Sequence, residues 1–102
     1  MRVLMVCAGG MSSAIVVKAI KQEADKQGFA LEIKAVGTHE FENELPGYDL
    51  GLVAPQVKHR FSTFAEIGKQ LNVPVVLIPP TGYTPIGAPK VLELIKSYAE
   101  SK

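Results

Sequence analysis

Four short runs of mostly branched apolar residues alternate with segments whose apolar residues recur at helical spacing. This alternation predicts a parallel sheet, because parallel strands need crossover connections and helices are the usual crossovers. The predicted strands cover residues 2–6, 29–36, 48–54 and 74–78. The predicted helices cover residues 14–27, a short turn at 38–45, a stripe from Val57 to Leu71, and residues 88–99. The sequence therefore predicts one α/β domain over residues 1–102, a four-stranded parallel sheet flanked by helices on both faces.

Individual residues set the expected boundaries of these elements. Gly28 is expected to end the first helix, because glycine readily adopts the left-handed conformation found after helix ends. Thr38 is expected to cap the short helix. In the third helix, apolar residues at offsets of 4, 7, 8, 11 and 14 from Val57 form one stripe that ends at Leu71. The fourth strand is expected to be buried on both faces, because it is a continuous apolar run.

Composition and charge exclude several classes of function. Apolar residues make up 47% of the chain and charged residues 21%, and the net charge of +1 provides no basic field for nucleic acid. No apolar run approaches the roughly 20 residues needed to span a bilayer, and the start of the chain reads as a core strand, without the pattern of a signal peptide. The single cysteine cannot form an internal disulfide and fits a reducing compartment. We expect a cytoplasmic protein that does not span a membrane.

Three loops are expected to meet at one end of the molecule, because the carboxyl ends of parallel strands share one edge of the sheet. Ligands of such sheets bind beyond that edge, near the point where the strand order reverses. The loop after the first strand runs from Cys7 to Ser13, the loop after the third contains Pro55 and Gln56, and the loop after the fourth contains residues 81–83. The fold alone therefore predicts one site at this edge.

Cys7 opens a loop that has the composition of an anion-binding site. The loop continues with Ala8, Gly9, Gly10, Met11, Ser12 and Ser13 before the first helix. Paired glycines allow successive N–H groups to turn inward, and the helix that follows adds its positive end. That environment favours the thiolate, which is the nucleophilic form of cysteine. The sequence therefore predicts that Cys7 is a nucleophile beside a phosphate cradle, against the alternative of an inert, buried cysteine.

The residues that this loop lacks favour phosphoryl transfer over hydrolysis. The loop resembles that of the low-molecular-weight tyrosine phosphatases, whose Cys-x5-Arg signature uses the arginine to grip phosphate. Ser13 occupies the arginine position here, and the only arginines are Arg2 and Arg60. That family also uses a late aspartate as general acid, whereas residues 79–89 contain no carboxylate. A small cysteine-dependent phosphatase, or a regulatory module of the same fold, is therefore the alternative function.

The whole chain resembles the enzyme IIB component of the bacterial phosphoenolpyruvate-dependent sugar phosphotransferase system, lactose/cellobiose family. The resemblance rests on an N-terminal strand that ends in Cys-x-x-Gly-Met-Ser-Ser/Thr, found here at residues 7–13. Two weaker matches are Ala54-Pro55-Gln56, where the family has Gly-Pro-Gln, and Gly82-Tyr83 after the fourth strand. The loop at residues 83–89 is richer in proline than the family pattern, and this difference bears on the choice of partner or substrate.

This resemblance implies a phosphocarrier that needs no cofactor. Cys7 would take a phosphoryl group from a phosphohistidine on enzyme IIA and pass it to a sugar bound in the membrane component, enzyme IIC. The backbone from Ala8 to Ser13 would form the phosphate cradle. The implied sugar is a β-linked disaccharide such as cellobiose, lactose or chitobiose.

The histidines have two interpretations each. His59 belongs to the basic cluster Lys58-His59-Arg60, which is either solvated surface or a docking patch for a partner. His39 lies in a polar segment with several glutamates, where an exposed position is expected. The spacing of histidines and carboxylates predicts no metal site.

Residues outside the cradle are expected to line the rim of the site. Pro55 and Gln56 are possible rim or partner contacts because they follow the third strand. Tyr83 is either a lid over the site or packing at its rim, and Met11 is either a contact for a partner or a core residue.

Overall fold

The structure is a computed structural model that describes residues 1–7, 12–78 and 87–100. It does not describe the side chains of Ser12, Ser13, Gln56, Ala99 and Glu100. Its elements are, in chain order, β1 (Arg2–Val6), α1 (Ser12–Lys26), β2 (Glu32–Val36), α2 (Thr38–Glu44), β3 (Leu50–Val53), α3 (Phe61–Leu71), β4 (Val75–Leu77) and α4 (Ala88–Glu100). Two segments of 3-10 helix, Leu45–Gly47 and Pro55–Arg60, lead into β3 and α3.

The central strands of the sheet are β1 and β3. All four strands are parallel, and their order across the sheet is β2-β1-β3-β4. Met5 of β1 lies opposite Ala35 of β2 on one side and Leu52 of β3 on the other. The apolar residues of β1 are completely buried, since strands flank it on both sides and helices cover both faces. The parallel α/β sheet predicted from the alternating pattern is confirmed.

Two hydrophobic clusters lie on opposite faces of the sheet. Helices α1 and α4 cover one face, where the buried residues include Val3, Met5, Val16, Ile20, Leu50, Leu52, Val91 and Ile95. Helices α2 and α3 cover the other, where they include Leu4, Val6, Phe41, Leu45, Val53 and Phe64. Successive side chains of each strand alternate between the two clusters, as the pleat of a strand requires. Within the described ranges, no helix is long and apolar enough to cross a membrane.

Charged side chains occupy one face of the edge strand β2. Ile33 and Ala35 pack against the cluster under α1, whereas Glu32 and Lys34 point to the opposite face, as the alternation predicts. Lys34 Nζ lies 2.6 Å from Glu44 Oε1, and this hydrogen bond raises the pKa of Lys34 above its ordinary value. Charged residues on an edge strand oppose pairing with a further strand.

The amino edge of the sheet is fixed by contacts of the first two residues. The ammonium group of Met1 donates to the carbonyl of Ala30 over 3.1 Å. Arg2 Nη1 donates to the carbonyl of Gly47 over 2.8 Å, and the backbone N–H of Arg2 donates to Asp49 Oδ2 over 2.9 Å. These bonds tie the start of β1 to the segments that precede β2 and β3.

Two helix starts differ from the prediction. Thr38 is not the cap of α2: the N-cap is Gly37, whose backbone is extended, and its carbonyl accepts from Glu40 N–H over 3.1 Å. The stripe that begins at Val57 is not one helix either. Val57 has non-helical angles (φ −118°, ψ 24°) within the 3-10 segment, and α3 begins only at Phe61. The kink allows the Val57 side chain to enter the cluster beneath α2 and α3.

The last strand is less buried than its sequence predicts. Val75 and Val76 are half-buried, and Leu77 is 36% exposed, so the expectation of burial on both faces is wrong. The reason is position: β4 pairs with β3 alone and forms the other edge of the described sheet. Leu71 is also 37% exposed, because it lies in the last turn of α3 where the chain leaves the core.

Left-handed residues terminate α1 and α3. Gly28 has φ +71°, and Phe29 N–H donates to Ala24 O over 2.8 Å, which closes the end of α1 as predicted. Asn72 has φ 59° and ψ 34° after α3, and Val73 N–H donates to Gly68 O over 2.8 Å. These bonds satisfy carbonyls that a helix end otherwise leaves without a partner.

Two glycines allow backbone segments to approach closely. Gly51 lies in β3 beneath Phe41, and a Cβ added there would lie 2.9 Å from Phe41 Cζ. Gly68 lies in α3, where an added Cβ would collide with the Val75 side chain and with the backbone carbonyl of Val73. The apolar stripe includes Gly68 because α3 contacts the start of β4 there without an intervening side chain.

We expect Gly68→Ala to lower the free energy of unfolding by about 1–3 kcal/mol, as overpacking does. Alanine normally stabilises a helix interior relative to glycine, but here the new methyl group meets a carbonyl oxygen that cannot move aside. Urea denaturation measures the effect. Gln70→Ala, at an exposed position of the same helix, is the matched control and should change stability by less than about 0.5 kcal/mol. Equal stability of the two variants would contradict the close contact.

Substitutions at the two left-handed positions, Gly28 and Asn72, should change stability in opposite directions. Gly28→Ala should destabilise by about 1–2 kcal/mol, because a Cβ is unfavourable at φ +71° although the space around it is open. Asn72→Gly should leave stability unchanged or raise it slightly, because loss of the Cβ relieves a left-handed penalty of up to about 1–2 kcal/mol, which the greater freedom of glycine in the unfolded chain partly offsets. Thermal unfolding of both variants beside the unmodified chain tests this, and a destabilised Asn72→Gly would show that the asparagine side chain has a further role.

Candidate functional site

Cys7 lies at the centre of the carboxyl edge of the sheet. It is the first residue after β1, and its N–H donates to the carbonyl of Val36, the last residue of β2, over 3.1 Å. On the other side, Ala54 N–H donates to the carbonyl of Val6 over 3.0 Å. The ends of β2 and β3 therefore flank Cys7, and the residue is only 4% exposed.

The thiol of Cys7 is directed towards the end of β2. Its Sγ lies 3.7 Å from the carbonyl oxygen of Val36, to which the thiol donates a weak hydrogen bond. Cys7 belongs to the buried cluster that includes Val36, Ala54 and Val57. Cys7, which the sequence predicts to be a nucleophile, thus has apolar surroundings and lies at the end of the sheet where the loops meet.

The strand order reverses beside Cys7. Strand β2 lies on one side of β1, and β3 and β4 lie on the other, so the switch point of this sheet is between β1 and β3. Helix α1 covers one face and α3 the other, which is the arrangement in which parallel sheets bind ligands at the carboxyl ends of the two central strands. The position that the parallel-sheet rule predicts for a ligand therefore coincides with Cys7.

Helix α1 begins five residues after Cys7 and is 15 residues long. Its first residues are Ser12 and Ser13, so the predicted order of strand, loop and helix is present. The amino end of a helix attracts anions through its free N–H groups and its dipole. Ala8, Gly9, Gly10 and Met11 lie outside the described residues, as do the side chains of Ser12 and Ser13, and the phosphate cradle stays a prediction.

The loop after β3 begins beside the end of β1, and the rim role of its residues stays a prediction. Pro55 is half-buried and begins the 3-10 segment, directly after Ala54, which is bonded to the end of β1. Gln56 follows in the same segment, and His59 is exposed two residues before α3 begins. Tyr83 lies outside the described residues, so its predicted place at the rim is untested.

The end of β2 is a part of the site that sequence reasoning missed. The sequence prediction included the loops after the first, third and fourth strands, whereas Val36 accepts the hydrogen bonds of both the N–H and the thiol of Cys7. Gly37 and the first turn of α2 follow it directly. The signal was present in the parallel pattern, because β2 also ends at this edge, but its position beside β1 depends on a strand order that the sequence does not reveal.

Neither arginine occupies the position that a phosphatase needs. Arg2 lies at the opposite end of β1 from Cys7, where Nε is 3.2 Å from Glu32 Oε2. Arg60 is exposed, and its guanidinium carbon lies 5.7 Å from the centre of the Phe64 ring. In the part of the chain that the structure describes, no group of three histidine, cysteine or carboxylate side chains could hold a metal ion.

A groove lies between β4 and α4, and β3 separates β4 from β1, the strand that leads to Cys7. It has a volume of about 390 Å³ and is lined by Val76, Leu77, Lys90, Val91 and Leu94. Its described lining is apolar except for Lys90 and contains no thiol, hydroxyl or imidazole group. The groove therefore provides no alternative to Cys7 as the reactive centre.

Comparison with solved structures identifies the same architecture in two proteins. A lactose-specific IIB component domain of the phosphoenolpyruvate:carbohydrate phosphotransferase system from Streptococcus pneumoniae superposes with a TM-score of 0.85 at 22% identity, over 96% of each chain. A cellobiose-specific phosphotransferase IIB component from Borrelia burgdorferi superposes with a TM-score of 0.81 at 27% identity, over 100% of this chain and 94% of the other. The predicted fold type is confirmed.

Sequence comparison gives the same result. The oligo-beta-mannoside-specific EIIB component of the phosphotransferase system of Bacillus subtilis is 29% identical over 82 residues, which is 80% of this chain and 80% of that protein. The sequence model of the family described as "PTS system, Lactose/Cellobiose specific IIB subunit" matches residues 2–94. The resemblance seen in the motif at Cys7 is thereby confirmed, and the chain belongs to the lactose/cellobiose-specific IIB subunits of the phosphotransferase system.

Proposed function

We propose that Cys7 is the residue that carries the phosphoryl group in this IIB subunit. Membership of the family makes the chain a component of sugar phosphotransfer. The observation that supports Cys7 as the carrier is its position, because the only cysteine of the chain lies at the switch point of the sheet and begins the loop to α1. No other described residue combines a nucleophilic side chain with that position.

The proposed reaction has two displacement steps at phosphorus. The Cys7 thiolate attacks the phosphohistidine of enzyme IIA, whose other ring nitrogen carries a proton; the S–P bond forms as the N–P bond breaks, and the histidine leaves as neutral imidazole. A hydroxyl group of the sugar held by enzyme IIC then attacks the same phosphorus atom and gives up its proton to a base of enzyme IIC, and the S–P bond breaks to return the thiolate. Backbone N–H groups of residues 8–13 hold the phosphate oxygens in both steps.

The surroundings of Cys7 favour a carrier over a hydrolase. A phosphocysteine must survive until the second partner arrives, so the site should not activate water. Cys7 is nearly buried in an apolar cluster, Arg2 is paired with Glu32 at the amino ends of the strands, and Arg60 lies outside the loop that follows β1, where a phosphatase carries its arginine. Since no described residue provides an arginine clamp or a general acid beside the sulfur, the barrier to attack by water stays high.

The proposed sugar is a β-linked disaccharide. Relatives are specific for lactose, cellobiose and oligo-beta-mannoside, all of which contain β-glycosidic bonds. We propose that this chain acts in the cytoplasm, where it meets enzyme IIA and the inner face of enzyme IIC. Chitobiose, the third disaccharide that the resemblance implies, is also β-linked and belongs to the proposed class of substrate.

Incubation with enzyme IIA that has been phosphorylated from phosphoenolpyruvate should add one phosphoryl group to the chain. Intact-mass spectrometry measures the gain, and fragmentation should place the group on Cys7. Cys7→Ala and Cys7→Ser should both abolish the label, because the thiolate that attacks phosphorus is gone. A label that persists in Cys7→Ala would show that another residue is the carrier, and an unlabelled wild-type chain would favour a regulatory module.

The phosphatase alternative predicts turnover of an aryl phosphate in the absence of any partner. We expect the wild-type chain to hydrolyse p-nitrophenyl phosphate no faster than Cys7→Ala, because the site has no arginine at position 13 and no described acid beside Cys7. Release of p-nitrophenol is followed by absorbance. Cys7-dependent, multiple turnover would overturn the carrier and establish a hydrolase.

A further inference from the structure

The basic ridge Lys58-His59-Arg60 stands beside the proposed carrier site with its charges uncompensated. All three side chains are exposed. The printed sequence contains no aspartate or glutamate from residue 50 to residue 65. In the described part of the chain, neither Lys58 nor Arg60 forms an ion pair, whereas Arg2 and Lys34 are both paired with glutamates.

The backbone fixes this ridge close to Cys7. The 3-10 segment that carries it starts at Pro55, next to Ala54, whose N–H is bonded to Val6 O over 3.0 Å. Val57 anchors the segment in the cluster that contains Cys7, and its N–H donates to Ala54 O over 3.0 Å. At a rise of about 2 Å per residue, the ridge lies roughly 8–12 Å along the segment from Ala54.

The opposite side of Cys7 carries negative charge. Helix α2, which follows β2, has exposed carboxylates at Glu40 and Glu42. The exposed permanent charges therefore differ in sign on the two sides of Cys7, being negative on α2 beyond β2 and positive on the segment beyond β3. This asymmetry distinguishes the ridge from other exposed lysines such as Lys21 and Lys69, which have Asp25 or Glu66 one helical turn away.

We propose that the basic ridge Lys58-His59-Arg60 is the docking surface that receives the phosphohistidine face of the phosphoryl donor. The proposal rests on the proposed function, because it supposes that an anionic phosphohistidine must be brought to Cys7. At a distance comparable with the Debye length of about 10 Å at 0.1 M salt, the two permanent charges accelerate encounter and orient the donor. They do not take part in the displacement at phosphorus.

A protein donor fits the ridge better than a membrane or nucleic acid. Recognition of anionic lipid uses clusters of about four to eight basic residues, and a nucleic-acid site needs a basic stripe, whereas this ridge has two permanent charges in a chain of net charge +1. Two charges at the border of a reactive centre suit a small dianionic group presented on a protein surface.

The test compares Lys58→Gln/Arg60→Gln with a control of equal charge, Lys26→Gln/Lys69→Gln. The control residues are exposed near the carboxyl ends of α1 and α3, away from Cys7. Phosphorylated enzyme IIA of the lactose/cellobiose family is the donor, and quenched-flow mass spectrometry gives the second-order rate constant of labelling. We expect the ridge variant to be slower by about 5–20-fold at 20 mM salt and by less than about 2-fold at 0.5 M, with the control within about 2-fold throughout.

Two further measurements separate docking from a disturbed site. Lys58→Arg/Arg60→Lys, which keeps both charges, should restore the rate. Iodoacetamide, a neutral reagent, should alkylate Cys7 equally fast in the ridge variant and the wild-type chain. The proposal would be overturned if the ridge variant were slowed equally at both salt concentrations, if the control variant were slowed as much, or if the rate of Cys7 alkylation changed.

The outcomes also distinguish this proposal from the proposed function. A wild-type chain that takes no phosphoryl group overturns both. A labelled wild-type chain with an equally fast ridge variant overturns only the docking surface. Binding to vesicles of phosphatidylserine or to single-stranded DNA that the ridge variant loses, with donor transfer unchanged, would assign the ridge to a different partner and overturn the proposal as well.

Discussion

The pairing of β1 with both of its neighbours is the interaction on which the rest of the structure depends. The apolar side chains of β1 lie in both hydrophobic clusters. The backbone groups of β1 therefore have no access to water and must bond to β2 and β3. The last bonds of these two ladders, Cys7 N–H to Val36 O and Ala54 N–H to Val6 O, lock three strand ends side by side. The place of the sulfur is thereby set by the sheet, before any contribution from the loop that follows.

Paired and unpaired charged side chains lie at different ends of the strands. At the amino edge, Arg2 is bonded to Gly47 and paired with Glu32, and these contacts hold the first strand in register. Near the carboxyl edge, Lys58 and Arg60 have no carboxylate partner among the described residues. Paired charges stabilise a fold modestly, whereas unpaired charges near a reactive centre cost little stability and act over longer range. The paired charges and these two exposed charges therefore lie at opposite ends of the strands.

Local sequence patterns predicted the helices and strands, whereas the features that the sequence did not predict depend on strand order and tertiary packing. Strand alternation in β2, the helix end at Gly28 and the location of Cys7 all follow from periodicity or from the rule for parallel sheets, and each is confirmed. The exposure of Leu77 and the contact of Val36 with Cys7 depend on strand order, which no local pattern encodes. Gly68 appeared as a member of an apolar stripe, but only the packed structure shows that the absence of a side chain is what the position requires.

The family resemblance, which rested on the motif at Cys7, is confirmed by comparisons that cover most of the chain. The cradle at residues 8–11 and the rim at Tyr83 lie outside the described residues, so their roles rest on the sequence alone. What the fold adds is the switch point, since it places the one thiol of the chain where an open α/β sheet binds its ligands.

Both ends of the described chain lie away from the end of the sheet that holds Cys7. Met1 is bonded to Ala30 at the amino edge, and α4 starts at the carboxyl edge and runs back, with Lys96 donating to Gln27 just beyond the end of α1. A fluorophore, an affinity tag or a solid support joined to either end would therefore project from the far side of the molecule. Attachment near Met1 or near the last described turn of α4 would therefore leave the Cys7 end of the strands facing away from the support.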